Sequence, residues 1–121
     1  MISASLVQLD VRSLAPAENF RRIHDFVAAE AGQGAQLILF PELANTGYVE
    51  PLVPGGAVIS DVPHFGAALY AACAAPDGDE IRALVALAAR HRVHLVIGLG
   101  LRDRLRAGVM RNASLLIGPE G

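Results

Sequence analysis

Glu42 holds the position with the clearest chemical opportunity. It follows an apolar run and Pro41 in LILFPELANTGY, residues 37–48, so a strand-like segment delivers a carboxylate at its exit. In open α/β sheets, ligands gather at the carboxyl ends of strands, where the loops diverge around a crevice. A carboxylate partly removed from water there has a raised pKa and can act as a general base. Position alone leaves two readings open: a functional base, or a surface glutamate in the first turn after Pro41.

The other reactive residue types have bland readings. Gly98-Leu99-Gly100 is a GxG in a strand setting, but Leu101-Arg102-Asp103-Arg104 follows, with no third glycine and no helix opening. A phosphate-binding fingerprint needs both. A strand passing close to other backbone is the expectation. His91 and His94 are three apart with a helix-to-strand break between them, and further ligands at metal-site spacing are lacking, so no metal is expected. His91 suits a helix C-terminus, where a cation is favoured. Cys73 lies among alanines in LYAACAA, the setting of a small buried hydrophobe with a raised pKa, hence inert. Asp103 and its neighbouring arginines are read as a solvated turn.

The 121 residues are 53% hydrophobic and only 18% charged, with mean hydropathy +0.41. That excludes a disordered chain, and it is apolar for a lone domain of this size. Either much of the chain is buried strand or some apolar surface meets a partner. A net charge of −2 and a pI near 6.0 argue against nucleic acid as a partner. All ten basic residues are arginine, so no chemistry that needs a lysine amine comes from these residues. One cysteine excludes an internal disulfide. The first residues lack a basic, then long apolar, signal pattern, and the most apolar stretch, residues 65–75, is too short to span a membrane. A cytoplasmic protein without membrane partners is the default expectation.

The elements that must position Glu42 follow from hydrophobic periodicity. Residues 5–11 (SLVQLDV) alternate and predict a strand. Pro16 or Ala17 opens a helix with Glu18 in its first turn, and Phe20, Ile23, Phe26 and Val27 form one apolar face. Gly32 and Gly34 stop it. Residues 36–40 predict a strand buried on both faces. Residues 41–63 form a long irregular segment, residues 65–75 a short helix, and Asp79 caps a helix over 80–91. Strands at 94–101 and 111–117 flank a charged turn and should pair as a hairpin. The order β-α-β-loop-α-α-β-β predicts an α/β or mixed layer with right-handed crossovers and its helices on one face. Two helices cannot cover both faces of such a sheet. One face should be bare unless a second sheet, from further sequence or another subunit, covers it.

FPELANTGY resembles the first catalytic motif of the nitrilase superfamily, the carbon–nitrogen hydrolases. LVQLDV, Asn19 within ENFRRI, GAQLILF, the helix before VHLVIGL, and RNASLLIGPEG fall in that family's order and spacing, so the resemblance spans essentially the whole chain. It implies one incomplete domain over residues 1–121, part of a four-layer α-β-β-α sandwich with a mixed sheet and helices on the outer face. It also implies a Glu-Lys-Cys constellation acting on a small-molecule amide or nitrile, without cofactor or metal. Glu42 matches the glutamate base. In the family the lysine and cysteine follow the strand that RNASLLIGPEG resembles. The chain thus resembles an N-terminal half, inactive alone, that associates with a C-terminal half or forms a homo-oligomer. The alternative is a truncated, non-catalytic relative acting as an assembly or binding module. The loop over 43–63 is expected to shape the pocket mouth, with Tyr48 either lining it and touching substrate or serving as a packed anchor.

Overall fold

The first helix, α1 (Pro16–Gly32), begins on its proline, where a missing N–H costs nothing, and carries Glu18 in the first turn. Phe20, Ile23 and Val27 are buried along one stripe. The helix gives way at Gln33, and Gly34 takes φ +91°, a left-handed conformation that glycine adopts without steric cost. This computed structural model describes residues 1–48 and 65–121. The expectations made for residues 49–64, the greater part of the 41–63 loop, lie outside the described residues.

The described elements run β1 (Ala4–Leu6), α1, β2 (Leu37–Leu39), α2 (Phe65–Ala72), α3 (Asp79–His91), β3 (His94–Arg102) and β4 (Met110–Ile117). They build one four-stranded mixed sheet in the order β1-β2-β3-β4. The first three strands are parallel, and β3 and β4 form the expected antiparallel hairpin, with Gly100 opposite Asn112. Ile23 and Val27 of α1 and Leu84 and Ala88 of α3 belong to one core with Ile38, Leu95, Ile97 and Leu99. Each of these side chains is fully buried.

Four expectations need correction. The first strand is shorter than residues 5–11: only residues 4–6 pair as strand, one further bond runs from Val7 N–H to the Leu39 carbonyl (2.9 Å), and the chain then leaves the sheet edge. The short helix ends at Ala72 rather than residue 75, because Ala74 instead bridges Leu101 of β3. Asp79 does not cap α3. Gly78 is the N-cap, and Asp79 sits in the first turn, where it pairs with Arg82 at 2.6 Å. The strands are not buried on both faces. Ile38 is sealed, while its neighbours Leu37 and Leu39 are only half-buried. On that second face, Leu6 pairs with Leu39, Leu39 with Val96, and Val96 with Leu116. An apolar row therefore crosses all four strands, and its ends, Leu6 and Leu116, are 74% and 72% exposed. Among the described residues no helix is long and apolar enough to cross a membrane.

Candidate functional site

Where β2 stops, β3 continues, and its free edge needs hydrogen-bond partners. Residues 40–46 supply them. Phe40 N–H donates to the Val96 carbonyl and Ala44 N–H to the Gly98 carbonyl, each at 2.8 Å. Beyond that the Asn45 side chain takes over. Its Oδ1 accepts from Gly100 N–H (2.8 Å), and its Nδ2 donates to the Gly100 carbonyl (2.9 Å), so an amide side chain stands in for the next strand residue. The Asn45 carbonyl accepts in turn from Asn19 Nδ2 (2.9 Å), whose amide also binds both backbone groups of Arg12. Thr46 O accepts from Leu14 N–H at 2.8 Å. Among the described residues the fully buried polar side chains are Asn19, Asn45 and Thr46, and all three serve this loop. Buried amides are costly unless satisfied, so the arrangement specifies one loop conformation.

Fastened this way, the loop carries Glu42 across the face of β3. Its closeness requires glycine. A Cβ on Gly98 would stand 2.5 Å from Glu42 Cα and 3.0 Å from the Pro41 carbonyl. One on Gly100 would stand 2.9 Å from Thr46 Cγ2 and 3.1 Å from Cys73 Sγ. The two glycines of the GxG are thus clearances for neighbouring chain, as expected. Leu43, next to the carboxylate, is held at φ +50°, a left-handed conformation unusual for leucine. Gly47, at φ +73°, returns the chain toward Ser13, where a Cβ would meet Ser13 Cα at 3.0 Å.

The Glu42 carboxylate is exposed, with both oxygens engaged. Tyr48 hydroxyl donates to Oε2, and Asn112 Nδ2, from β4, donates to Oε1. These two donors, Tyr48 foremost, hold its carboxyl below the usual glutamate range, against a smaller opposing effect of burial. The expectation of a raised pKa is therefore corrected. Hydrogen bonds to the charged form outweigh desolvation because the side chain still faces water. The same bond pushes the Tyr48 phenol up. Tyr48 itself is 62% exposed.

Two hollows flank the carboxylate. One, of about 400 Å³, is lined by Phe40, Glu42, Gly98, Asn112, Ala113 and Ser114. The other, of about 290 Å³, is lined among the described residues by Tyr48 and Asn112 with Leu43, Phe65, Leu69, Cys73 and Met110, and is mainly apolar. Cys73 is buried, and burial pushes its thiol up, with the Arg102 charge acting the other way. Asp103 is no solvated turn residue. Its carboxylate accepts from Leu105 N–H (2.9 Å), Arg106 N–H (3.0 Å) and Arg111 Nε (2.7 Å), and these bonds hold its pKa down. It organises the β3–β4 turn. No group of three potential metal ligands occurs among the described residues. His91 ends α3, and His94 begins β3 with Arg92 and Val93 between.

Sequence reasoning singled out Glu42 and Tyr48 and missed Asn45 and Asn112. Asn112 lies 70 residues from Glu42, and only the hairpin register brings it there. Asn45 had one signal, a polar amide between apolar and small residues directly after the carboxylate.

The family profile for carbon–nitrogen hydrolases matches residues 3–121. A nitrilase from Pyrococcus abyssi is 26% identical over 122 residues, covering 100% of this chain and 40% of that protein. Among solved structures, a Saccharomyces cerevisiae member of the nitrilase superfamily superposes with a TM-score of 0.73 at 21% identity, over 99% of this chain and 41% of its own. A carbon–nitrogen hydrolase superfamily protein from Xanthomonas campestris gives 0.70 at 21%, over 97% and 36%. An amidase from Nesterenkonia sp. gives 0.65 at 24%, over 98% and 39%. The chain thus spans about 40% of the length of the curated relative it matches. With the profile matching all but the first two residues, and the mixed sheet shared with these structures, the chain belongs to the carbon–nitrogen hydrolase family, the nitrilase superfamily.

Proposed function

We propose that Glu42 is the general base of a hydrolase that cleaves a non-peptide carbon–nitrogen bond in a small amide or nitrile, in concert with a lysine and a cysteine outside these 121 residues. The observation that carries this reading is the carboxylate at the carboxyl end of β2 with a donor on each oxygen, on a loop held by buried amides. One solved form of the Nesterenkonia amidase carries acrylamide added to its active-site cysteine, which supports a thiol as the partner group. Glu42 accepts the thiol proton, the thiolate attacks the amide or nitrile carbon, and the lysine cation stabilises the charge that develops on the attacked group. Cys73 is not that thiol: it is buried and its ionisation is suppressed. A covering layer over the open sheet face would take water from Glu42 and raise its pKa toward the operating range.

The test is ammonia release from a panel of short amides and nitriles by the complete natural polypeptide. Glu42→Gln is expected to lower kcat by at least about a thousandfold, with circular dichroism unchanged. Retained turnover would overturn the assignment. The 121-residue chain alone is expected to be inactive, and turnover that survived Glu42→Gln would be equally fatal. A second reading, a non-catalytic assembly module, is favoured by the exposed Leu6–Leu39–Val96–Leu116 row. Sequencing the coding region past Gly121 separates the two: a frame that continues to a lysine and then a cysteine supports the enzyme, and a stop codon supports the module.

A further inference from the structure

We infer that Tyr48 and Asn112 are a pair of positioning residues that fix the Glu42 carboxylate in one rotamer and keep it ionised until it takes a proton. This deepens the assignment of Glu42 as base and rests on it. The two donors come from separate parts of the fold. Tyr48 lies six residues beyond Glu42 on the same segment, and Asn112 projects from β4, opposite Gly100. Gly100 is also the residue whose N–H and carbonyl are taken by Asn45. The loop and the Asn112 donor are thus referenced to one point on β3, so their separation is set by hairpin register rather than by side-chain flexibility.

The division of oxygens matters chemically. Tyr48 hydroxyl meets Oε2 and Asn112 Nδ2 meets Oε1, so neither oxygen is free to swing into water. An amide N–H₂ can only donate, whereas a phenol can donate or accept. When Glu42 becomes a carboxylic acid, Asn112 can still donate to Oε1, and Tyr48 can turn its hydroxyl to accept a proton carried on Oε2. The same clamp therefore serves both protonation states, with Tyr48 as the member that reverses. Both donors favour the anion, in keeping with the lowered carboxyl pKa.

Both side chains are exposed in this chain, so their removal does not threaten the core. The experiment compares Tyr48→Phe, Asn112→Ala and Glu42→Gln in the complete natural polypeptide, measuring kcat and KM for an amide substrate across pH together with thermal stability. Each clamp variant is expected to lose roughly tenfold in kcat at constant KM, since a mis-oriented base weakens the chemical step more than binding. The acid limb of the rate profile is expected to move to higher pH, because one donor to the anion is gone. Unmoved acid limbs in both variants, whatever the melting temperatures do, would overturn the inference. If instead Glu42→Gln stays active, it is the assignment of the base that fails. An inactive Glu42→Gln beside clamp variants with native profiles refutes the clamp alone.

Discussion

Adding one methyl group at Gly98 gives a quantitative probe of the site. The new Cβ would stand 2.5 Å from Glu42 Cα, 3.0 Å from the Pro41 carbonyl oxygen and 3.2 Å from Glu42 N. Ordinary carbon contacts begin near 3.5 Å, so relief needs a separation of about 1 Å. The strand is in no position to give, being paired to β2 over Leu37–Leu39 and to β4 from Leu95 through Arg102. The loop must move, and Glu42 moves with it. Gly98 lies outside the left-handed region, so the effect is one of space alone. A displacement near 1 Å at a reacting group costs on the order of a hundredfold in rate, and overpacking of this kind costs about 1–3 kcal/mol in stability. In the complete natural polypeptide, Gly98→Ala should therefore lower kcat by roughly two orders of magnitude with KM little changed, and lower the melting temperature by several degrees. Gly100→Ala is the internal comparison. Its Cβ meets the ends of Thr46 and Cys73 side chains rather than backbone, so its effect on kcat should be clearly smaller. A Gly98→Ala protein with native kcat and native stability would refute the claim that this clearance sets the position of Glu42.

Asn45→Leu leaves Gly100 N–H without its partner and takes the Nδ2 donor from the Gly100 carbonyl, and should destabilise by about 3 kcal/mol in urea unfolding, far more than the exposed Asn112→Ala. In the complete natural polypeptide, Cys73→Ala should retain catalytic turnover, measured as ammonia release, since its buried thiol is a packing group. The lowered pKa values of Glu42 and Asp103 mean that each stabilises the fold above its unfolded pKa, and that this is lost as pH falls through the lower folded value. Acid titration of stability should flatten on that limb in Asp103→Asn. Leu116→Arg, on the open sheet face, should leave the secondary structure of the 121-residue chain intact by circular dichroism. In the complete polypeptide, where we propose that this face is covered, it should lower the melting temperature by several degrees.

Local chemistry made much of the fold legible. The helices at residues 16–32 and 79–91 announce themselves by a proline start, acidic first turns and an apolar stripe. The hairpin follows from two apolar runs around a charged turn. The place of Glu42 after β2 was legible because a strand exit is a place as well as a composition. Its pKa was not legible, since the direction depended on Tyr48 and Asn112, and the latter is brought close only by tertiary register. The strand over residues 5–11 was over-read because alternation survives in Val7 and Leu9, which are buried without being paired as strand. Apolar runs such as LIL suggested burial on two faces, but a sequence reports what a residue would tolerate, and here the second face stands open.

The bonds that hold the Glu42 loop have a consequence for the order in which this chain can fold. Asn19 and Asn45 are 26 residues apart, Asn45 and Gly100 are 55 apart, and Glu42 and Asn112 are 70 apart. Closing such spans has an entropic cost that local contacts do not repay, so contacts of this kind form late and slow the search. During synthesis the motif that looks most like an active site emerges early, yet it has nothing to lie against until β3 has docked and the hairpin has turned back. Glu42 is then among the last side chains of this sheet to reach its final position, and variants that delay the hairpin should show their first defect at the site.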